Sequence, residues 1–282
     1  MSASEETEGR QAKRPEGLLD GLINHHAGGR VAAELELRVK TELLQQLQGD
    51  RGEFFARDME ALWRMLEIVI ALAGDDRGGE RDEVQLLNLA CGRCEEGEVL
   101  SAFFGRGERK VHQFALDLRE REICQGKRRY QATERLFDAV GVPRVVASEA
   151  KTSTIEFIAD DATRLVGYGQ IPESFDVIFV RHQNLWFDRV VWQRIYDFAL
   201  DRIAGGGVLV ITSYFDREHL EALAVLRALG GVVLATRQNP WSRKLSYPGK
   251  TVDRHVAVIA PGGKSGGVFI DGEKGGRGSD NC

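Results

Sequence analysis

The segment Leu86–Gly97, LLNLACGRCEEG, has the composition of an apolar strand that runs into a turn of small residues and then a charged helix start. In a parallel α/β sheet, ligands bind in the crevice outside the C-terminal ends of the strands, and small residues at the first turn let a ligand approach the backbone. Ala90 and Gly92 supply that clearance. Three further apolar runs end in polar groups: KVHQFAL in Asp117, TIEFIA in Asp160, Asp161 and Ala162, and FDVIFV in Arg181, His182, Gln183 and Asn184. A carboxylate at 117 accepts from both hydroxyls of a ribose. At 160–162 a side chain accepts from an exocyclic amine while a backbone N–H donates to a ring nitrogen, so a nucleoside is held at both ends. His182 has the ordinary pKa of a general base that works near neutrality, and Tyr214, after VLVITSYF, is placed to line an acceptor pocket.

Each of these residues also has a plainer reading. Asp117 followed by Glu120 matches a helix-capping box, His182 fits a packing role, and Tyr214 fits a cap on the sheet. Cys91-Gly-Arg-Cys94 has the spacing of a redox or metal pair, but Cys124 and Cys282 supply neither a second pair nor histidines, so its strand-turn setting is preferred. The run Lys127, Arg128, Arg129, with Arg135 beyond it, reads as a solvated helix face, and Trp186 and Trp192 as helix packing, with Trp186 also close enough to the strand end to touch an acceptor.

These residues need a scaffold, and the hydrophobic pattern predicts one. Strands are predicted at Val84–Ala90, Lys110–Leu116, Thr154–Ala159, Phe175–Val180, Val208–Thr212, Val232–Thr236 and His255–Ile259. Helices fall between them, including Lys127–Val140, closed by Gly141 and Pro143, and Arg189–Ile203, closed by Gly205–Gly207. Alternation of this kind predicts an α/β fold: a Rossmann-like, seven-stranded, mostly parallel sheet with helices on both faces. The last two strands are joined by a loop with Pro240 and Pro248, so one of them is expected to run antiparallel at an end of the sheet. Three- and four-residue apolar spacing predicts helices over Val31–Leu47 and Phe54–Leu72, an N-terminal helical extension. The expected organisation is a flexible stretch over 1–28, a helical extension or lid over 29–79, a ligand-binding domain over 80–260 and a flexible Gly-rich tail over 261–282.

On these residues the chain resembles the class I S-adenosylmethionine-dependent methyltransferases, over about residues 80–260. That family's first strand and loop read hydrophobic, hydrophobic, Asp, hydrophobic, Gly, Cys, Gly, any residue, Gly; the matching residues are Leu86, Leu87, Asn88, Leu89, Ala90, Cys91, Gly92, Arg93 and Cys94. Asn88 replaces the acid, and Ala90 and Cys94 replace glycines. The resemblance implies S-adenosyl-L-methionine as cofactor, with Asp117 and the adjacent Leu118 at the ribose side, Asp161 and Ala162 at the adenine, and Asn88 and Ala90–Gly92 against the methionine moiety with Arg181 close by. It implies methyl transfer to a nucleophile, with His182 and Tyr214 as candidate catalytic groups and the final strands as an antiparallel hairpin. Two other readings stand beside it. One is a module that binds the cofactor without turnover, which the three replacements permit. The other is a nicotinamide-dependent oxidoreductase, disfavoured because ACGRCE puts Cys94 and Glu95 where a G-x-G-x-x-G loop needs room for pyrophosphate.

Composition narrows the partners. Thirty-eight basic against forty-three acidic residues leave a net charge of −5. That balance favours a small-molecule acceptor over nucleic acid, and the Asn/Asp-Pro-Pro-Tyr/Phe signature of nucleic-acid amino methylation is absent where RHQNLW stands. Four unevenly placed cysteines, no apolar leader and no long apolar stretch point to a cytoplasmic protein with no membrane association.

Overall fold

The strands are apolar on both faces, which requires helices on both sides of the sheet. In β1 (Glu83–Leu89), Val84 and Leu86 join one core cluster and Leu87 and Leu89 the other. The same alternation holds in β4 (Phe175–Val180), where Val177 and Phe179 oppose Ile178 and Val180, and in β5 (Ile203–Ser213), where Val208 and Val210 oppose Leu209 and Ile211. The computed structural model describes residues 50–74, 82–106, 109–140, 153–162, 171–183 and 185–262.

One face is covered by α1 (Asp50–Ala73) and α2 (Gly97–Phe104), the other by α4 (Arg189–Asp201) and α5 (Asp216–Ala228). The helix α3 (Glu120–Val140) packs by β2 (Lys110–Asp117) and β3 (Thr154–Ala159). With β6 (Gly231–Gln238) and β7 (His255–Pro261), the sheet order is β3-β2-β1-β4-β5-β7-β6. The first five strands run parallel, and β7 is antiparallel to both β5 and β6. The expected antiparallel strand therefore lies one place in from the edge, which β6 forms.

Within the segment 29–79, expected as an extension or lid, α1 lies against the sheet. Leu62, Met65, Leu66 and Val69 are fully buried, each worth roughly 2 kcal/mol of transfer free energy. The helix anticipated over Val31–Leu47, the stretch 1–28 and the tail from 263 fall outside the described residues.

Two helix boundaries differ from the sequence pattern. α3 starts at Glu120, seven residues before the predicted Lys127, because Gly126 is accommodated in mid-helix: a Cβ there would come within 2.4 Å of the Arg93 carbonyl oxygen. α4 ends at Asp201, and Gly205–Gly207 do not break the chain but lie inside β5. A Cβ on Gly207 would stand 2.8 Å from the Asp176 carbonyl, and the β4–β5 register shifts between Phe175 and Val177. The glycines thus serve a bulge rather than a stop.

Candidate functional site

Strand register assembles the site. Leu89 pairs with Leu116 and with Val180, and Asp117 pairs with Ala159. The residues following β1, β2, β3 and β4 therefore leave the sheet side by side. The order in which strands are added reverses between β1 and β4, the topological switch point of the sheet, where the turn after β1 faces the turn after β4.

The turn after β1 is tightly wound. Ala90, Gly92 and Cys94 have φ values of 55°, 58° and 52°, a left-handed conformation that costs alanine and cysteine what it does not cost glycine. The turn is held from both sides. The Cys91 N–H donates to the Leu116 carbonyl at 3.1 Å, the Gly92 N–H donates to Asp117 Oδ2 at 2.7 Å, and Arg129 donates to the carbonyls of Arg93 and Cys94. Asn88, wholly buried, donates to Glu96 Oε1 at 2.6 Å and to Cys94 Sγ at 3.3 Å, while its Oδ1 has no partner.

Asp117 is nearly buried, and both its oxygens are engaged. Oδ1 accepts from the Arg119 backbone at 2.9 Å and from Arg119 Nε at 3.0 Å, and Oδ2 accepts from Gly92. It bonds its own following residues, yet α3 begins only at Glu120, so the carboxylate organises the turn rather than capping the helix in the box pattern. The Arg119 side chain is 64% exposed, so it bonds Asp117 from the solvent side. Beside it Leu118 is 70% exposed, an apolar surface next to the strand ends. The Asp160 N–H bonds the Asp117 carbonyl at 3.1 Å and the Asp161 N–H bonds Asp160 Oδ1 at 2.6 Å, with Ala162 buried behind them. The chain at Asp160 thus lies against the chain at Asp117.

At the β4 end the sequence identified Arg181 and His182 but not their partners. Arg181 grips Asp253 through Nε at 3.0 Å and Nη2 at 2.6 Å, and reaches Glu96 through Nη1 at 3.1 Å. His182 Nε2 lies 2.8 Å from Asp253 Oδ1. Burial alone would raise the Asp253 carboxyl, but Arg181 and His182 hold it well below the usual carboxylate range. Burial pushes His182 below its ordinary value in spite of Asp253, so the imidazole is neutral near pH 7. One cation against two carboxylates leaves this cluster with a net charge of −1. The His182 ring stacks on Tyr214, centroids 3.9 Å apart, and burial lifts the Tyr214 phenol to about 12. Glu96 and Asp253 carry no motif; Asp253 is set in place by the β6–β7 loop, 72 residues from Arg181.

The fit of an adenosylated sulfonium cofactor is uneven along the crevice. The β2–β3 end suits an adenosine, with a carboxylate whose arginine partner is free to leave, an exposed leucine and a backbone edge at 160–162. At the β1–β4 end, the orphaned Asn88 acceptor and the net negative cluster suit cationic groups. Arg181 is saturated by two carboxylates and is not open to a third, so its expected place against the cofactor becomes one of support to Glu96 and Asp253.

What the fold and the crevice define is a Rossmann-like α/β chain with a small-residue turn at the switch point. No protein-family model and no curated protein matches the chain. Among solved structures it is similar to an S-adenosylmethionine-dependent methyltransferase from Clostridium acetobutylicum ATCC 824, at 12% identity over 74% of this chain and 92% of that one, TM-score 0.48. It is similar also to the N-methyltransferase NodS from Bradyrhizobium japonicum WM9, at 16% identity over 73% and 94%, TM-score 0.44. A third is TrmN from Thermus thermophilus, at 14% identity over 70% of this chain and 47% of that one, TM-score 0.44. Likenesses at such identities assign no chemistry to this chain.

Proposed function

We propose that the chain is an S-adenosyl-L-methionine-dependent methyltransferase acting on a small molecule. The observation that carries this is the bond from the Gly92 N–H to Asp117 at 2.7 Å: it joins the small-residue turn after β1 to the carboxylate after β2 and sets both beside the exposed Leu118. Bound there, S-adenosyl-L-methionine supplies a methyl group already made electrophilic by the sulfonium. Asp117 holds the ribose once Arg119 turns outward, Leu118 covers the base, and the edge at Asp161 and Ala162 reads it. Asn88 Oδ1, which has no partner within the chain, is left to accept from a donor on the ligand. Asp253, held ionised by Arg181, and Glu96 beside it supply negative potential that favours a cationic ligand over a neutral or anionic one.

Alignment and exclusion of water are the chain's main contributions to rate, since holding two reactants in line supplies a large share of the barrier reduction. A module that binds without turnover is the second reading, favoured by the strained Cys94 where glycine would relax the turn. A thermal-shift comparison tests the main proposal: S-adenosylmethionine is expected to raise the melting temperature and NADH to leave it unchanged. Stabilisation by NADH alone would refute it. Labelled methyl transfer to any acceptor separates the enzyme from the silent module. No helix among the described residues is long and apolar enough to cross a membrane, and we place the protein in the cytoplasm.

A further inference from the structure

We propose that the aromatic face beside His182 is the acceptor subsite, that it takes a flat aromatic hydroxy compound of the phenol class, and that His182, oriented by Asp253, is the catalytic base that removes the hydroxyl proton. The inference rests on the methyltransferase reading and deepens it.

Three segments bring aromatic rings to the same edge. Tyr214 and Phe215 follow β5, Trp186 follows β4, and Tyr247 comes from the β6–β7 loop. Phe215 lies 5.0 Å from Trp186 and 6.0 Å from Tyr247 between centroids, and Tyr214 lies 6.5 Å from Phe215. Trp186 remains 49% and Tyr247 65% exposed. Rings of this size are normally buried, so a contiguous group left half in water marks a surface built to be covered. Flat aromatic molecules cover it best, because offset and edge contacts repeat the arrangement the rings already adopt with one another.

The group connects directly to a base. Its innermost ring, Tyr214, is stacked on His182 at an interplanar angle of 15°. His182 sits at φ 58°, a strained position that non-glycine residues hold mainly where function requires it. His182 Nε2 lies 2.8 Å from the ionised Asp253 Oδ1 and 3.3 Å from the Asp253 backbone N–H, and the shorter, charge-assisted contact favours the proton on Nε2. That tautomer leaves the Nδ1 lone pair available. Lys250 Nζ lies 3.9 Å from the centroid of the Tyr214 ring, a positive charge against the aromatic group.

The proton chemistry selects the acceptor. Phenol hydroxyls ionise near the tyrosine value of about 10, within reach of an imidazole as charge develops, whereas aliphatic hydroxyls are far weaker acids. In the transfer the oxygen–methyl bond forms as the carbon–sulfur bond breaks and its electron pair stays on sulfur. The hydroxyl proton passes to His182 Nδ1 and from there to water.

The test uses the full chain with S-adenosylhomocysteine, which has no methyl to give, and 4-nitrophenol, whose ionised form is yellow. Binding of S-adenosylhomocysteine is read by calorimetry and phenol ionisation by absorbance at pH 6. The expected result is binding of both, with bound 4-nitrophenol about tenfold more ionised than in water. That enhancement is lost in His182→Asn, a residue that tolerates the same backbone, while the phenol affinity falls at least tenfold in the exposed Trp186→Ala. If S-adenosylhomocysteine binds but 4-nitrophenol does not, or its ionisation is unchanged in His182→Asn, the acceptor inference is overturned and the methyltransferase reading stands. If S-adenosylhomocysteine itself fails to bind, both fall.

Discussion

At the β2–β3 end of the crevice Asp117 bonds an arginine two residues away and a turn amide 25 residues back, and its arginine partner stands mostly in water. At the β4 end Arg181 is buried, and its partners Glu96 and Asp253 lie 85 and 72 residues distant. The first end is assembled locally and opens by rotating one surface side chain. The second is a closed charge cluster that folds only when the turn after β1, the end of β4 and the β6–β7 loop are all in place. A site divided in this way separates ligand capture from structural integrity, and substitutions at the two ends should fail differently.

The largest contrast is expected between Asp253→Ala and Asp117→Ala. Removing Asp253 strips a buried guanidinium of its main partner, a change that costs about 3–5 kcal/mol. Removing Asp117 costs about 1–2 kcal/mol, the value of a hydrogen bond to a buried amide, but weakens S-adenosylmethionine binding at least tenfold. Urea unfolding of the two variants measures this; equal destabilisation would erase the distinction between the ends.

Gly126→Ala tests whether the turn is held from behind. A methyl at that position meets the Arg93 carbonyl, and overpacking of this kind costs about 1–3 kcal/mol. Cofactor affinity should fall as well, which calorimetry detects, because the displaced segment is the turn itself.

Glu218 offers a subtler probe beneath the acceptor side. Its Oε2 accepts from the Tyr214 N–H at 2.8 Å, and burial raises its carboxyl to about 7. A folded value above the unfolded one means the contribution to stability is full below about pH 4.5 and declines as pH rises through 7. Glu218→Gln keeps the acceptor and removes the buried charge, so it should stabilise the protein by about 1–3 kcal/mol at pH 8 and by little at pH 4.5. His219 runs the other way: burial lowers it to about 4, and stability is lost as pH falls from 6.5 toward that value.

The smallest expected effect concerns His182. Its lowered value keeps the base form at and below pH 6.5, so kcat/KM should change less than about twofold between pH 8 and 6.5. A steep fall centred near 6.5 would show an unperturbed imidazole.

Much of this was legible in the sequence because it is local. Alternating apolar residues set the strands within one or two positions except for β5, and polar residues at the strand ends located Asp117, Asp161, Arg181 and His182 on one edge. The start of β5 was hidden because three glycines read as a stop, while the strand runs through them and Gly207 approaches the β4 carbonyls closely. The early start of α3 was hidden for a related reason, since Gly126 weakens the helical pattern yet fits against Arg93. Glu96 and Asp253 were illegible because nothing in a charged residue near a turn reports which distant cation it will neutralise. That pairing is set by tertiary closure, and with it the availability of Arg181 to a ligand.

Calorimetric titration of S-adenosylhomocysteine into the wild-type chain and into Asp117→Ala tests the central claim most directly. One molecule should bind per wild-type chain, with at least tenfold weaker binding to the variant. Equal affinity in both, or no binding to either, would contradict the assignment of this crevice.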